Sequence, residues 1–355
     1  MAKGNNSTMK HKHQSRRFEQ LLISPSEIFT TIIRELQHAR KSIDMEFYIF
    51  EGDRIGTTIA HILCRKARQG VRVRLLVDGY GSRNLPRGVR RQMINNGIQL
   101  RIAHNIGHHR NHRKIILIDD AHAFIGGVNI ADRYLFGNQL GVWHDAVLHI
   151  YSNNIDTLSA LFEYDFRAEP HRGTLEPQPH HTPALYWSES GGGGGIARLL
   201  RDVMESAERN IIITTPYLIP PRQVLDMLTK SIKRGVKIKI IIPHRCDIWF
   251  LDNIIRHSIL QTINRGVDIR IVRNGFIHAK LALVDSHRLV IGSANLDSRS
   301  LNINREVMLS TSNREVCRTA QLFFRRLEAD ATPPSEADIK SQLPKIITEA
   351  LTPLM

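Results

Sequence analysis

The sequence predicts an α/β protein of two similar domains related by a pseudo-two-fold axis, with one active site at their seam. Three observations point there. A polar phrase occurs twice, as His112, Lys114, Asp119, Asn129 and as His278, Lys280, Asp285, Asn295, with equal steps of 2, 7 and 17 from each histidine and 166 residues between copies. Each copy follows units of helix, glycine and strand, the grammar of α/β folds. The units also correspond: residues 207–214 answer 39–46, 234–241 answer 69–76, and 263–270 answer 94–101. A duplication this complete predicts one supersecondary plan used twice.

Taken in order, residues 1–17 hold Lys3, Lys10, Lys12, Arg16 and Arg17 without an acid, and read as a disordered basic tail that lipid headgroups would attract. A first domain spans 18–169. Order is expected from Ser24-Pro25-Ser26-Glu27, a capping box opening a helix to about Ala39. Ile43, Met45, Phe47 and Ile49 alternate as a strand, with Glu46 on the opposite face. A helix ending near Gln69 precedes strand 71–77, and another ending at Gly97 precedes strand 98–102. Residues 170–195, rich in His and Pro and closing on Gly191 to Gly195, read as a linker. The second domain spans 196–330 and closes on a helix from 313 to about Ala329. Past it, Pro333-Pro334 interrupts a C-terminal tail, 331–355.

Composition narrows the partner. With 49 Lys and Arg against 34 Asp and Glu, the net charge is +15 and the sequence pI about 10.1, so an anionic partner is expected: nucleic acid or an anionic membrane. Cys64, Cys246 and Cys317 stand singly, which fits a reducing compartment and argues against a disulfide framework. No apolar run approaches the roughly 18 residues of a spanning helix. The N-terminal charges have no apolar segment behind them, so no secretory signal is expected and a lipid would be met by docking. His104, His108, His109, Arg110 and Arg113 lack a Cys or carboxylate partner and read as a basic rim for anionic headgroups, not a zinc site.

The repeated phrase suits a phosphate. Lys114 to Ile118 and Lys280 to Val284 read as buried strands, on which positions two apart share a face, so each His projects with its Lys. The Gly126-Gly127 and Gly292-Ser293 pairs let backbone approach and bring Asn129 and Asn295 amides alongside. One histidine cannot both attack phosphorus and protonate the leaving group on the opposite side. Two can, and an imidazole pKa of about 6.5 suits either duty. No metal or cofactor is expected.

These residues carry a resemblance, joined by Glu46-Phe47-Tyr48-Ile49-Phe50, residues 78–82, 111–114, 123–129 and 215–218, and Gly275-Phe276-Ile277-His278-Ala279-Lys280. The duplicated H-x-K-x4-D phrase with a downstream Gly pair and Asn resembles the phospholipase D superfamily, and within it the bacterial cardiolipin synthases, from about residue 25 to about 330. The resemblance implies a phospholipase D-like fold of two α-β-α sandwiches. It implies a catalytic set of His112, Lys114, Asp119, His278, Lys280 and Asp285, with His112 as nucleophile, His278 as acid and base, and the two aspartates tending to a structural place behind the site. Asp145 and Glu306 would orient the histidine rings, Asn129 and Asn295 would join the lysines on phosphate, and Glu46, Gly127 and Ser293 would line the site. Two departures stand out. The stretch ahead of the first motif is shorter than cardiolipin synthases often carry, and the five glycines replace a Ser-Gly-Pro-like stretch.

The expected activity is therefore phosphatidyl transfer through a phosphohistidine, giving cardiolipin. Its substrate would be an anionic phospholipid, phosphatidylglycerol, with phosphatidylethanolamine a further candidate, met by peripheral contact at the cytoplasmic face of the cell membrane. Hydrolysis to phosphatidate uses the same residues. A nuclease is the alternative from another class; with only 6% Phe, Trp and Tyr there are few platforms for stacking bases, so nucleic acid is less favoured.

Overall fold

The computed structural model describes residues 18–103, 109–152, 155–168, 183–189, 194–248 and 250–340; the basic tail, His104, His108 and most of the 170–195 stretch lie outside them. Two mixed sheets repeat one strand order. The first runs Phe18–Leu22, Val147–Tyr151, His122–Gly126, Lys114–Ile118, Ser42–Phe47, Arg72–Asp78, Gln99–Ala103. The second runs Ala184–Ser188, Glu306–Thr311, Arg288–Gly292, Leu281–Val284, Asn210–Thr214, Lys237–Pro243, Asp268–Val272, and adds Ala331–Thr332 at its far edge. In both, a parallel half built from helix crossovers meets an antiparallel half built from hairpins.

Alternation in the motif strands sorts side chains between two cores. Ile116 and Ile118 face an outer core under the helices Pro25–His38, Arg54–Arg68 and Arg87–Asn95, as Ala282 and Val284 do under Gly195–Ser206, Arg222–Lys233 and Leu251–Ile263. Ile115, Leu117, Leu281 and Leu283 face a shared inner core with the helices Asp156–Arg167 and Arg314–Ala329. Each domain is thus an α-β-α sandwich, and one continuous apolar layer joins the two. That layer fixes their relative position.

Several local expectations change. The chain is ordered from Phe18, ahead of Ser24, because Phe18–Leu22 pairs antiparallel with Val147–Tyr151. The Ser24 side chain does not cap its helix; its hydroxyl lies 3.0 Å from Ser26 Oγ, and Pro25 alone supplies the start signal. Ala184–Ser188, inside the expected linker, is the equivalent edge strand of the second sheet. Ala331–Thr332 and the short helix Glu336–Ile339 pack beyond residue 330, where a tail was expected. Glu46 lies in a strand buried along its whole length, so no face of it meets solvent.

Candidate active site

Each histidine sits just ahead of its motif strand, where the strand leaves the sheet toward the other domain. Two short bridges stitch the domains there. Phe276–Ile277 pairs parallel with Trp143–His144, and His278 N donates to His144 O at 2.9 Å. On the pseudo-symmetric side Asn111 bridges Arg305, and His112 N donates to Arg305 O at 3.0 Å. Gly275, at φ +95°, allows the approach: a Cβ there would stand 2.7 Å from Val142 O.

The bridges exchange carboxylates. Asp145 of the first domain accepts from Nδ1 of His278 at 2.7 Å, and Glu306 of the second meets Nδ1 of His112 through both oxygens at 3.0 Å. Nδ1 being so held, Nε2 is the ring nitrogen that neither carboxylate takes. Lys114 donates to the His112 carbonyl and Lys280 to that of His278, with the Lys280 ammonium 3.0 Å from the His278 ring nitrogens. Tyr48 lies edge-on to His112 with ring centroids 5.0 Å apart, and Tyr134 edge-on to His278 at 5.2 Å. Two imidazoles and two ammonium groups, contributed equally by two domains, thus meet in one place.

A family model described as "Cardiolipin synthase, PLD-like domain" matches residues 32–166 and 200–328, one match on each domain. The chain belongs to this cardiolipin synthase, PLD-like family. It is similar to a cardiolipin synthase of Halalkalibacterium halodurans, 33% identical over 81% of this chain and 61% of the relative, and to cardiolipin synthase 2 of Bacillus cereus, 32% identical over 81% and 60%. The chain therefore spans about 60% of the length of these curated relatives. Its fold is also that of phosphatidylserine synthase from Haemophilus influenzae, with a TM-score of 0.74 at 14% identity, covering 94% of this chain and 92% of that one.

The two family motifs differ in one position that matters electrostatically. Gly127 leaves room for Asp145, whose Oδ1 would lie 2.3 Å from a Cβ built there. Ser293, its counterpart, instead donates its hydroxyl to Glu306. Burial lifts Asp145 to about 6. Burial would also raise Glu306, but His112, Lys114 and the Ser293 hydroxyl outweigh it and bring it to about 2. Burial, reinforced by Lys280, Lys114 and His112, drives His278 well below the ordinary imidazole value, while His112 is lowered by burial with Glu306 pulling against it. Burial also brings Lys114 to about 7 and Lys280 to about 8. An anionic group placed between the two lysines would reverse these last shifts.

Not every residue of the motif faces the seam. Asp119 accepts from the backbone N–H groups of Arg40, Lys41 and Ser42, and Asp285 from those of Glu208, Arg209 and Asn210, tying each motif hairpin to the start of the neighbouring strand. Both occupy left-handed backbone, which Asp tolerates. They leave the catalytic set and act as hairpin clasps, because each lies just past the far end of its motif strand, Lys114–Ile118 or Leu281–Val284, away from the histidine at its start. Asn129 is largely committed inside its own domain, accepting from Ile49 N at 3.0 Å and donating to Tyr134 Oη at 2.6 Å. Asn295 bonds Asp297, while its buried Oδ1 has no partner among the described residues.

Glu46 does not line the site; it receives the Asn111 amide at 2.6 Å, and burial together with Asp165 pushes it well up, favouring its protonated form. Arg113, expected on a basic rim, is fully buried. It donates to Asp165, Glu189, the Ser188 carbonyl and the Glu306 carbonyl, a bracket across the seam directly behind His112. Asn111, Arg113 and Tyr134 are the participants that sequence reasoning missed. For Arg113 a signal existed: an arginine between two buried motif residues has no route to solvent if its strand is central.

Proposed function

We propose that this chain is a phosphatidyltransferase of the cardiolipin synthase type, acting on phosphatidylglycerol. The observation that carries the reading is the crossed pairing of His112 with Glu306 and His278 with Asp145, flanked by Lys114 and Lys280. A phosphodiester resists attack through its own charge and its poor alkoxide leaving group. The lysines offset the charge, one histidine attacks and the other protonates the alkoxide. His112 is the nucleophile: the firmly ionised Glu306 makes Nε2 electron-rich and then stabilises the positive charge of the phosphohistidine. His278, depressed in the empty site by burial and the neighbouring cations, gains an Nε2 proton once the bound phosphate offsets those cations, and with Asp145 bracing Nδ1 it is then the proton donor. It gives its proton to the departing glycerol and takes one from the hydroxyl of the second phospholipid, which attacks phosphorus and releases His112.

A lipid surface, not a nucleic acid, is supported by the exposed residues nearby. Tyr80, in the turn after Arg72–Asp78, stands under Arg110 and Arg83, and Phe136, at the end of the short helix Arg133–Phe136, under Arg54; both rings are more than half exposed. Cations flanking exposed rings match an anionic headgroup layer over acyl chains. Among the described residues no helix is long and apolar enough to cross a membrane, so this reading has the described domains dock on the cytoplasmic face of the membrane. Incubation with phosphatidylglycerol vesicles, with and without phosphatidylethanolamine, should yield cardiolipin and glycerol. Phosphatidate alone would mark a hydrolase, and cleaved plasmid with untouched lipid would reverse the assignment to a nuclease.

A further inference from the structure

In an in-line displacement at phosphorus the departing alcohol lies opposite the nucleophile, so with His112 attacking, the alcohol rests against His278. What surrounds His278 beyond the catalytic set therefore meets that alcohol. Three backbone relationships fix the neighbourhood. His278 follows the bridge of Phe276–Ile277 with Trp143–His144, which sets Trp143, and Tyr134 packed edge-on to it, beside the imidazole at centroid distances of 5.4 and 5.2 Å. Thr214 pairs with Leu281, so the chain through Thr215, Pro216 and Tyr217 leaves the second sheet at the end where the motif strand begins. Thr214 also pairs with Ile241 in the parallel neighbour Lys237–Pro243, whose following loop, His244 to Asp247, leaves at that end too.

These segments bring an arginine and an acid from different domains to His278. Arg133 lies over the rings of Tyr134 and Trp143, 5.4 and 5.6 Å from their centroids, and meets Glu51 at 3.1 Å. Tyr217, partly buried against the outer cores of both domains, donates its hydroxyl to Asp247 Oδ1 at 2.7 Å. Asp247 is exposed, and among the described residues its Oδ2 takes no hydrogen bond. Its charge reaches the site. Burial lowers Lys280 while Asp145, Glu306 and Asp247 pull the other way, and burial of Arg133 is outweighed by Tyr134, Glu51 and Asp247. The first domain treats its acid differently: the corresponding strand, Arg72–Asp78, ends on a buried carboxylate that accepts from the backbone N–H groups of Tyr80, Gly81 and Asn111.

We propose that Asp247, held by Tyr217 beside Arg133, binds the free hydroxyls of the glycerol headgroup and so selects the alcohol that leaves and the alcohol that attacks. Carboxylates that recognise ribose hydroxyls use the same chemistry. Arg133 and Lys280 repel a cationic headgroup from this place, which favours a neutral polyol. The proposal rests on the transferase reading with His112 as nucleophile and adds a specificity-determining residue to it. The departing glycerol and the glycerol of the second phospholipid occupy one place in turn.

The test compares two donors that differ in the headgroup alone, dioleoyl phosphatidylglycerol and dioleoyl phosphatidylpropanol, whose alcohol has the same carbon chain and no free hydroxyl. Consumption of each, followed by mass spectrometry of the lipids, gives kcat/KM. Wild type should prefer phosphatidylglycerol by about tenfold or more, as a hydrogen bond to a charged group implies. Asp247→Ala should cut that preference at least about fivefold, and Asp247→Asn, which can keep the Tyr217 contact, should fall between. An unchanged preference in Asp247→Ala would overturn the subsite. A larger loss on phosphatidylethanolamine than on phosphatidylglycerol would also overturn it, since Asp247 would then be an ammonium site. Phosphatidate and glycerol as the only products, with a preference that still depends on Asp247, would defeat the transferase reading and leave the headgroup subsite standing. Consumption of neither lipid by wild type would defeat the lipid reading and the subsite with it.

Discussion

The Asp145 carboxylate holds His278 across 133 positions of sequence and across a domain boundary, 2.7 Å from Nδ1. Its counterpart, Glu306, holds His112 across 194. Neither domain supplies both members of either of these pairs. On the proposed reading such a site exists only when the domains are assembled, and the seam itself becomes a catalytic element.

If the acids set ring orientation and tautomer, Asp145→Asn and Glu306→Gln should each lower kcat by about 10³–10⁴-fold, as expected when an amide holds the wrong tautomer. KM should move little. Steady-state kinetics on vesicles, with circular dichroism to verify folding, would check this; a loss below about tenfold would remove these residues from the mechanism.

His112→Ala and His278→Ala should each abolish transfer, and acid-quenched wild-type protein should carry a phosphoryl adduct on His112. Peptide mapping decides between the rings. An adduct on His278 would exchange the two roles, and no adduct during turnover would exclude the covalent route.

The Gly127 and Ser293 positions should respond differently. Gly127→Ala puts a methyl where Asp145 now lies and should reduce kcat by more than about tenfold by displacing the carboxylate. Ser293→Ala removes a donor to Glu306 and should raise that acid's pKa while leaving most activity. Activity profiles against pH separate the two effects.

The pH dependence itself has a definite sign. Asp145, lifted to about 6, loses its negative charge as pH falls through that value, so kcat/KM should decline on the acid side of 6. Lys114 and Lys280, lowered to about 7 and 8, lose their positive charge as pH rises, so kcat/KM should also decline above that range. Because bound phosphate raises both lysines, the basic limb of kcat should lie higher than that of kcat/KM. Coincident basic limbs would mean that the lysines do not meet the phosphate.

Arg113 gives a stability test. Fully buried against the buried Asp165 and the partly exposed Glu189, it should cost about 3–5 kcal/mol when replaced by Met, since Asp165 then stays inside with Arg305 as its one remaining cationic partner among the described residues. Arg113→Lys should not recover the loss, because an ammonium cannot span four partners in a fixed fork. Urea denaturation measures both.

Most of the parallel halves of the sheets and their crossover helices were legible, because apolar periodicity and glycine stops mark them. Arg314–Ala329 and Lys114–Ile118 lie within a residue or so of their expected places. The edge strands Phe18–Leu22 and Ala184–Ser188 were not legible. Five residues at a sheet edge take their conformation from a partner strand, and the pattern of FEQLL or ALYWS does not name that partner. The same limit hid the burial of Arg113 and the committed amide of Asn129, both of which depend on neighbours far away in the chain.

By itself the sequence determined the duplication, and with it the family, the two histidines, the two lysines and the two-domain plan, because equal spacing of rare polar residues survives without knowledge of contacts. Which acid serves which histidine and which aspartates leave the site were decided only by tertiary structure. The reason is physical: these properties depend on distance and on exclusion of water between segments 75 to 194 residues apart, and no local pattern records either.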